Sequence, residues 1–107
     1  MRICVYGASS DEIRDVYIKE GEALGLAMAN RGIELVFGAG AGGMMGAVAR
    51  GVTQGGGHMI GVVPMFFNVD GILYDKCDEL IRTETMRERK QIMEDNADAF
   101  IMTAGGI

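Results

Sequence analysis

The stretch Gly38 to Ala49, GAGAGGMMGAVA, constrains this chain more than any other, because it directly follows the mostly apolar run Ile33-Glu34-Leu35-Val36-Phe37. Glycine permits positive φ and leaves the backbone open to close approach, so glycines between a strand and a helix suggest an anion site at that helix's N-terminus. A close-packed strand-to-helix turn is the other reading. The spacing is similar to a dinucleotide fingerprint, but Gly38-Ala39-Gly40 runs on into Ala41-Gly42-Gly43, so several registers fit. Spacing alone therefore leaves both readings open.

Either side of this turn, the pattern alternates short apolar runs with helical periodicity. Arg2 to Tyr6 reads as a strand ending at Gly7-Ala8-Ser9-Ser10, with Ser10 or Asp11 as the expected N-cap of a helix. That helix carries Ile13, Val16, Tyr17, Ala23, Leu24, Ala27 and Met28 at helical spacing and stops at Asn30-Arg31-Gly32. Ile33 to Phe37 is a second strand, and Met44, Met45, Val48 and Val52 pattern a second helix ending at Gln54-Gly55-Gly56-Gly57. His58 to Val63, closed by Pro64, is a third strand, and Asp78 to Arg82 a fourth. Thr83 or Thr85 caps a third helix through Met86, Lys90, Met93 and Asn96, and Ala97 to Thr103 is a fifth strand ending at Ala104-Gly105-Gly106-Ile107. Met65 to Asp75 carries no readable pattern, although Phe66 and Phe67 could pack under a loop. Short continuous apolar runs fit parallel strands buried on both faces, so the expected class is α/β, a doubly wound parallel sheet. In such sheets the loops after the strands' carboxyl ends converge on the ligand crevice.

Bulk properties narrow the function. A chain of 107 residues with 49% apolar content can bury one core, so residues 1–107 are expected to form one domain or part of one. A net charge of −5, with no basic cluster beyond Arg87 to Lys90, excludes an extended nucleic-acid surface but leaves room for a mononucleotide. No apolar run approaches the ~20 residues that span a bilayer, and the N-terminus opens as a strand, which points away from a membrane and toward the cytoplasm. Cys4 and Cys77 are expected to be free thiols, and no metal-ligand spacing involves them or His58. Neither a metal nor a cofactor is expected.

Taken together, Cys4-Val5-Tyr6-Gly7-Ala8-Ser9-Ser10, the turn Gly38 to Ala49, Gly61-Val62-Val63-Pro64, Met86-Arg87-Glu88-Arg89-Lys90 and Gly105-Gly106 resemble the Lonely Guy (LOG) phosphoribohydrolases, long labelled lysine decarboxylase-like. The resemblance covers essentially the whole chain. It implies a Rossmann-like fold, a homodimer, and hydrolysis of the N-glycosidic bond of cytokinin or purine nucleoside 5′-monophosphates to free base and ribose 5-phosphate. The family's M-H-x-R-K segment is present with Arg87 at the usual His position and Arg89 and Lys90 at the Arg and Lys positions. Its P-G-G-x-G-T-x-x-E loop begins as Ala104-Gly105-Gly106-Ile107, so the chain reads as a C-terminally truncated form or fragment of the family domain, without the catalytic Glu. A second reading is a nucleotide or molybdenum-cofactor carrier without turnover, since such Rossmann-like proteins share glycine-rich phosphate loops. A third is a glycine-rich structural domain that works through oligomerisation.

Cleaving an N-glycosidic bond builds positive charge at the anomeric carbon, which a nearby carboxylate stabilises. The resemblance implies that the family's Glu has this role and that Arg89 is catalytic or substrate-orienting, a task suited to its rigid fork of donors. By its charge pattern alone, Arg89 would equally be a solvated cation beside Glu88 and Glu94. Lys90 is expected at the substrate, with an i,i+4 pairing to Glu94 as the alternative. Gly42, Gly43, Gly105 and Gly106 are expected to cradle the phosphate, and Ser9 to donate to it or simply cap a helix. Glu84 and Glu88 share one helix face and are the local candidates to replace the missing Glu.

Overall fold

The computed structural model describes residues 1–8, 12–65 and 73–103. Five strands, β1 (Arg2–Tyr6), β2 (Glu34–Phe37), β3 (Met59–Pro64), β4 (Glu79–Thr83) and β5 (Ala99–Met102), form one all-parallel sheet in the order β4-β3-β2-β1-β5. Helix α1 (Asp15–Asn30) joins β1 to β2, α2 (Gly43–Gln54) joins β2 to β3, and α3 (Met86–Asp95) joins β4 to β5. This is the expected Rossmann-like α/β fold. Parallel neighbours need crossovers, and these are right-handed almost without exception, so connections running one way along the sheet share a face and the reversed one takes the other. Strand order reverses between β1 and β5, which puts the switch point of the sheet at their carboxyl ends.

The pleat sorts each strand's side chains between the two layers. Val5, Leu35, Phe37 and Met59 face α1 and α2, where they pack with Met28, Val48, Ala49 and Val52. Cys4, Val36, Ile60 and Val62 face the opposite way and pack with Met93 of α3. Burial of β3 on both faces along its whole length explains why MIGVVP is a continuous apolar run.

Helix α1 buries Met28 and packs Leu24 as its periodicity suggests, but the rest of its buried face is made of glycines that the periodicity does not count. Val16 and Tyr17 are 54% and 42% exposed, whereas Gly21, Gly25 and Met28 are buried. The reason is the closeness of α2. A Cβ on Gly25 would overlap Val48 O and lie 2.9 Å from Val52 N, and a Cβ on Gly51 would overlap Glu22 O and lie 2.8 Å from Leu26 N. The two helices touch backbone to backbone, so glycine occupies the face that a long side chain would otherwise fill.

Element ends follow local rules with one departure. Both α1 and α2 close through left-handed glycines, Gly32 and Gly56, with Ile33 N–H donating to Met28 O and Gly57 N–H to Val52 O, each at 2.9 Å. Thr85 caps α3, its hydroxyl accepting from Glu88 N at 3.1 Å, in line with one of the two expected caps. The N-cap of α1, however, is Arg14 with no side-chain cap bond, not Ser10 or Asp11. Tyr17 and Ile18 N–H bond to the Arg14 carbonyl instead, at 3.0 and 3.2 Å. The reading of Phe66 and Phe67 under a loop lies outside the described residues.

Two substitutions test the helix contact. Gly25→Ala and Gly51→Ala are each expected to lower unfolding stability by about 3 kcal/mol or more, because the added Cβ meets backbone rather than a movable side chain, measured by urea denaturation. The exposed Gly32→Ala, where a Cβ meets nothing within 4 Å but φ is +68°, is expected to lose only about 1–2 kcal/mol from backbone strain. Equal losses at Gly32 and Gly51 would show that the helices do not depend on close approach.

Candidate functional site

The carboxyl rim of the sheet gathers the ends of β1, β2, β3 and β5 around the first turn of α2. After Tyr6, the chain is held against β5: Thr103 N–H and Thr103 Oγ1 both donate to Tyr6 O at 2.8 Å. The first turn of α2 closes on the same loop, with Met45 N–H donating to Ala8 O at 3.3 Å. Gly42 is the N-cap of α2 in extended conformation, and Gly43 follows with φ +60°. The glycine turn therefore is the expected strand-to-helix junction, and its backbone meets the β1 loop.

Strands β2 and β3 pair as far as Phe37↔Gly61 and then part. Arg89 fills the opening. It rises from α3 one turn before Met93, which packs against the sheet, so its side chain runs up the same face to the rim. There Nε donates to Val62 O and Nη2 to Gly38 O, both at 2.9 Å. A Cβ on Gly38 would overlap Nη2 and approach Met45 Sδ to 3.1 Å, so only glycine leaves room for the guanidinium. Burial draws the Arg89 pKa below its ordinary value, while nearby Cys4 and Tyr6 act the other way. Arginine starts so high that it remains a cation here.

The next carbonyl of the turn is held from the other side of the sheet. Tyr74 N–H donates to Ala39 O at 2.8 Å, the Tyr74 hydroxyl shares a 2.7 Å hydrogen bond with Thr53 Oγ1, and its ring meets Phe37 edge-on. Ala39 is buried with φ +65°, a left-handed conformation rare for a residue with a Cβ. Tyr74 did not stand out in the sequence as a site residue, and Gly38 did so only as the first residue of the glycine turn. Tyr74 lies next to a stretch without periodicity and offered no signal.

Other expected site residues fall into three groups. Lys90 is exposed and makes no ion pair with Glu94 or any other described residue. Arg87, Glu84 and Glu88 are exposed as well, and neither carboxylate is among the hydrogen-bond partners of Arg89. Ser9, Gly105 and Gly106 lie outside the described residues. His58 stands at the opposite, amino end of β3, where Nδ1 lies 2.7 Å from Glu34 Oε2 without the alignment of a hydrogen bond. Among the described residues, no three His, Cys, Asp or Glu side chains converge as a metal site would need. A cavity of about 350 Å³ lies on the α1–α2 side of the switch point, lined by Tyr17, Glu20, Gly21, Leu24, Met44 and Thr103.

Residues 45–107 match the sequence-family model described as "Possible lysine decarboxylase". The chain belongs to that family, the LOG family. Over 105 residues, 98% of the chain, it is 43% identical to the cytokinin riboside 5′-monophosphate phosphoribohydrolase of Mycobacterium tuberculosis, covering 56% of that protein. It is 39% identical to cytokinin riboside 5′-monophosphate phosphoribohydrolase LOG of Oryza sativa subsp. japonica, covering 43% of it. The chain thus spans about half the length of these relatives. Among solved structures, the molybdenum-cofactor (Moco) carrier protein of Chlamydomonas reinhardtii superposes with a TM-score of 0.80 at 25% identity, over 96% of this chain and 61% of that one.

In this LOG-family chain two weak acids, Cys4 and Tyr6, lie near Arg89, and a third, Cys77, packs on the α1–α2 side just before β4. Burial pushes the Cys4 thiol up, with Tyr6 and Arg89 partly opposing it. Burial, then Cys4, pushes the Tyr6 phenol up to about 12, and burial, then Asp78 and Asp75, pushes the Cys77 thiol up to about 11. A raised pKa in an acid means that the folded state favours the protonated form. Below the ordinary thiol value of 9.0 both states are protonated and stability is unaffected; above it the unfolded chain ionises first. Stability is expected to fall between about pH 9 and pH 12, and Cys77→Ala to shallow that fall. Thermal melts from pH 7 to 11 check this; a flat profile for the unsubstituted chain would contradict it.

Proposed function

We propose that this chain is the nucleotide-binding domain of a phosphoribohydrolase that cleaves the N-glycosidic bond of cytokinin or purine nucleoside 5′-monophosphates. The observation that carries the reading is Arg89. Arg89 reaches the carboxyl rim from α3 and stands beside the glycine turn, where the phosphate and ribose of a nucleotide would meet in a doubly wound sheet. Identity of 43% to a protein named for that activity supports it. In this reading the N-terminus of α2, opened by Gly42 and Gly43, faces the anionic phosphate, together with Gly105, Gly106 and Ser9. Arg89 orients the ribose phosphate and offsets its charge, and Lys90 adds a second cation at the margin.

The reacting centre also calls for a carboxylate near the anomeric carbon, to stabilise an oxocarbenium-like transition state and activate water. The motif that delivers it in the family opens at Ala104-Gly105-Gly106-Ile107. Turnover is accordingly proposed for the longer architecture of the relatives, and the 107 residues alone are proposed to bind nucleotide with little or no hydrolysis. A homodimer in the cytoplasm completes the proposal. The outer edge of β5 has no partner strand among the described residues, and Phe100 and Met102 beside it are 49% and 64% exposed, which favours self-association.

A carrier without turnover is the second reading, and the 0.80 TM-score to a Moco carrier protein favours it. Base release separates the two. A longer protein containing these residues, incubated with AMP and with the isopentenyladenine ribotide, is expected to release free base. Arg89→Ala is expected to slow release by roughly 100-fold or more. Nucleotide bound without base release would support the carrier, and no thermal shift with any nucleotide would leave the structural-domain reading. Appreciable hydrolysis by the 107 residues themselves would mean that Glu84, Glu88 or another local carboxylate serves the reaction.

A further inference from the structure

Two of the three guanidinium nitrogens of Arg89 are committed to the backbone, Nε to Val62 O and Nη2 to Gly38 O. These carbonyls lie on either side of the point where β2 and β3 separate, beyond the last ladder pair Phe37↔Gly61. The fork geometry makes this bridge possible, because a guanidinium holds its donors at fixed angles in one plane and a lysine ammonium cannot. A planar group inserted between two strand ends needs space on both sides. At Gly38 that space is the missing side chain, since a Cβ would overlap Nη2.

We propose that Gly38 is a positioning residue: its lack of a Cβ seats the Arg89 guanidinium between the ends of β2 and β3, leaving the two Nη1 hydrogens and the second Nη2 hydrogen for a ligand. The seated guanidinium in turn fixes the Gly38 carbonyl, while Tyr74 N–H fixes the neighbouring Ala39 carbonyl from the other face. With consecutive carbonyls held by protein donors, the turn enters α2 with a defined course. Arg89 shapes the turn through one hydrogen each of Nε and Nη2 and presents its remaining hydrogens to a ligand. This deepens the nucleotide-monophosphate reading and rests on it for the ligand, although the seating of Arg89 is observable without one.

The test uses the 107-residue chain with Gly38→Ala, Arg89→Ala and the double substitution, and has two readouts. The first is the Arg89 side-chain Nε–H resonance, which the Val62 bond should make distinct and slow to exchange in the unsubstituted chain. Gly38→Ala is expected to abolish that signature. The second is affinity for AMP by titration. Each single substitution is expected to weaken it about tenfold or more, as loss of a charged hydrogen bond does. The double substitution is expected to stay within about twofold of Arg89→Ala, because Gly38 acts only through Arg89.

An unchanged Arg89 signature in Gly38→Ala, or effects that multiply in the double variant, would overturn the proposal. If the unsubstituted chain fails to bind AMP, the nucleotide reading falls while the resonance still decides whether Gly38 seats Arg89. If Gly38→Ala prevents folding, adding Arg89→Ala is expected to restore it by removing the obstructing group. Failure to restore folding would sink the proposal equally.

Discussion

One guanidinium closes the gap where two parallel strands part. Parallel ladders supply hydrogen bonds only while strands stay side by side, and at the rim of a doubly wound sheet they must separate to make room for a ligand. The carbonyls exposed by that separation need donors. Arg89 supplies two, from a helix on the far face, and thereby ties α3, β3 and the glycine turn into one unit. A half-buried cation joined to neutral carbonyls keeps its full charge at the mouth of the crevice.

The two layers contribute differently to that rim. On one face, α1 and α2 pack so closely that Gly25 and Gly51 place backbone against backbone, which holds the N-terminus of α2 hard against the ends of β1 and β2. On the other, α3 makes a lighter contact through Met93 and reaches the rim with a long side chain. The first arrangement locates backbone amides and the second locates charge. Tyr74 joins them, crossing from the β3–β4 connection to bind Ala39 and Thr53.

All five strands fall within a residue or two of the expected runs; in β2 and β3 the reason is burial on both faces, which imposes a mostly apolar run, whereas the edge strands β4 and β5 are largely exposed. The third helix was legible from Thr85 and its periodicity. The buried face of α1 was legible only in part, through Leu24 and Met28, because periodicity counts apolar side chains and the contact with α2 is made by glycines, which have none. The cap of α1 was missed for a related reason: Ser10 and Asp11 have the chemistry of caps, but the helix starts at Asp15, after a non-capping Arg14. Of the site, the glycine turn and Arg89 were readable, the first from composition and the second only through the family motif. Lys90 shares that motif and is exposed, since one position further around the helix points away from the sheet.

By itself the sequence determined the α/β class, the five strands, the glycine junction before α2 and membership of the LOG family, all of which are written in local pattern or in motif order. Tertiary structure alone decided that Arg89 faces the glycine turn, that Gly38 makes room for it, and that Tyr74 holds the next carbonyl. These pairings join residues 51 and 35 positions apart. Such contacts depend on which strand lies beside which and which way each pleat points, and no local run of residues encodes them.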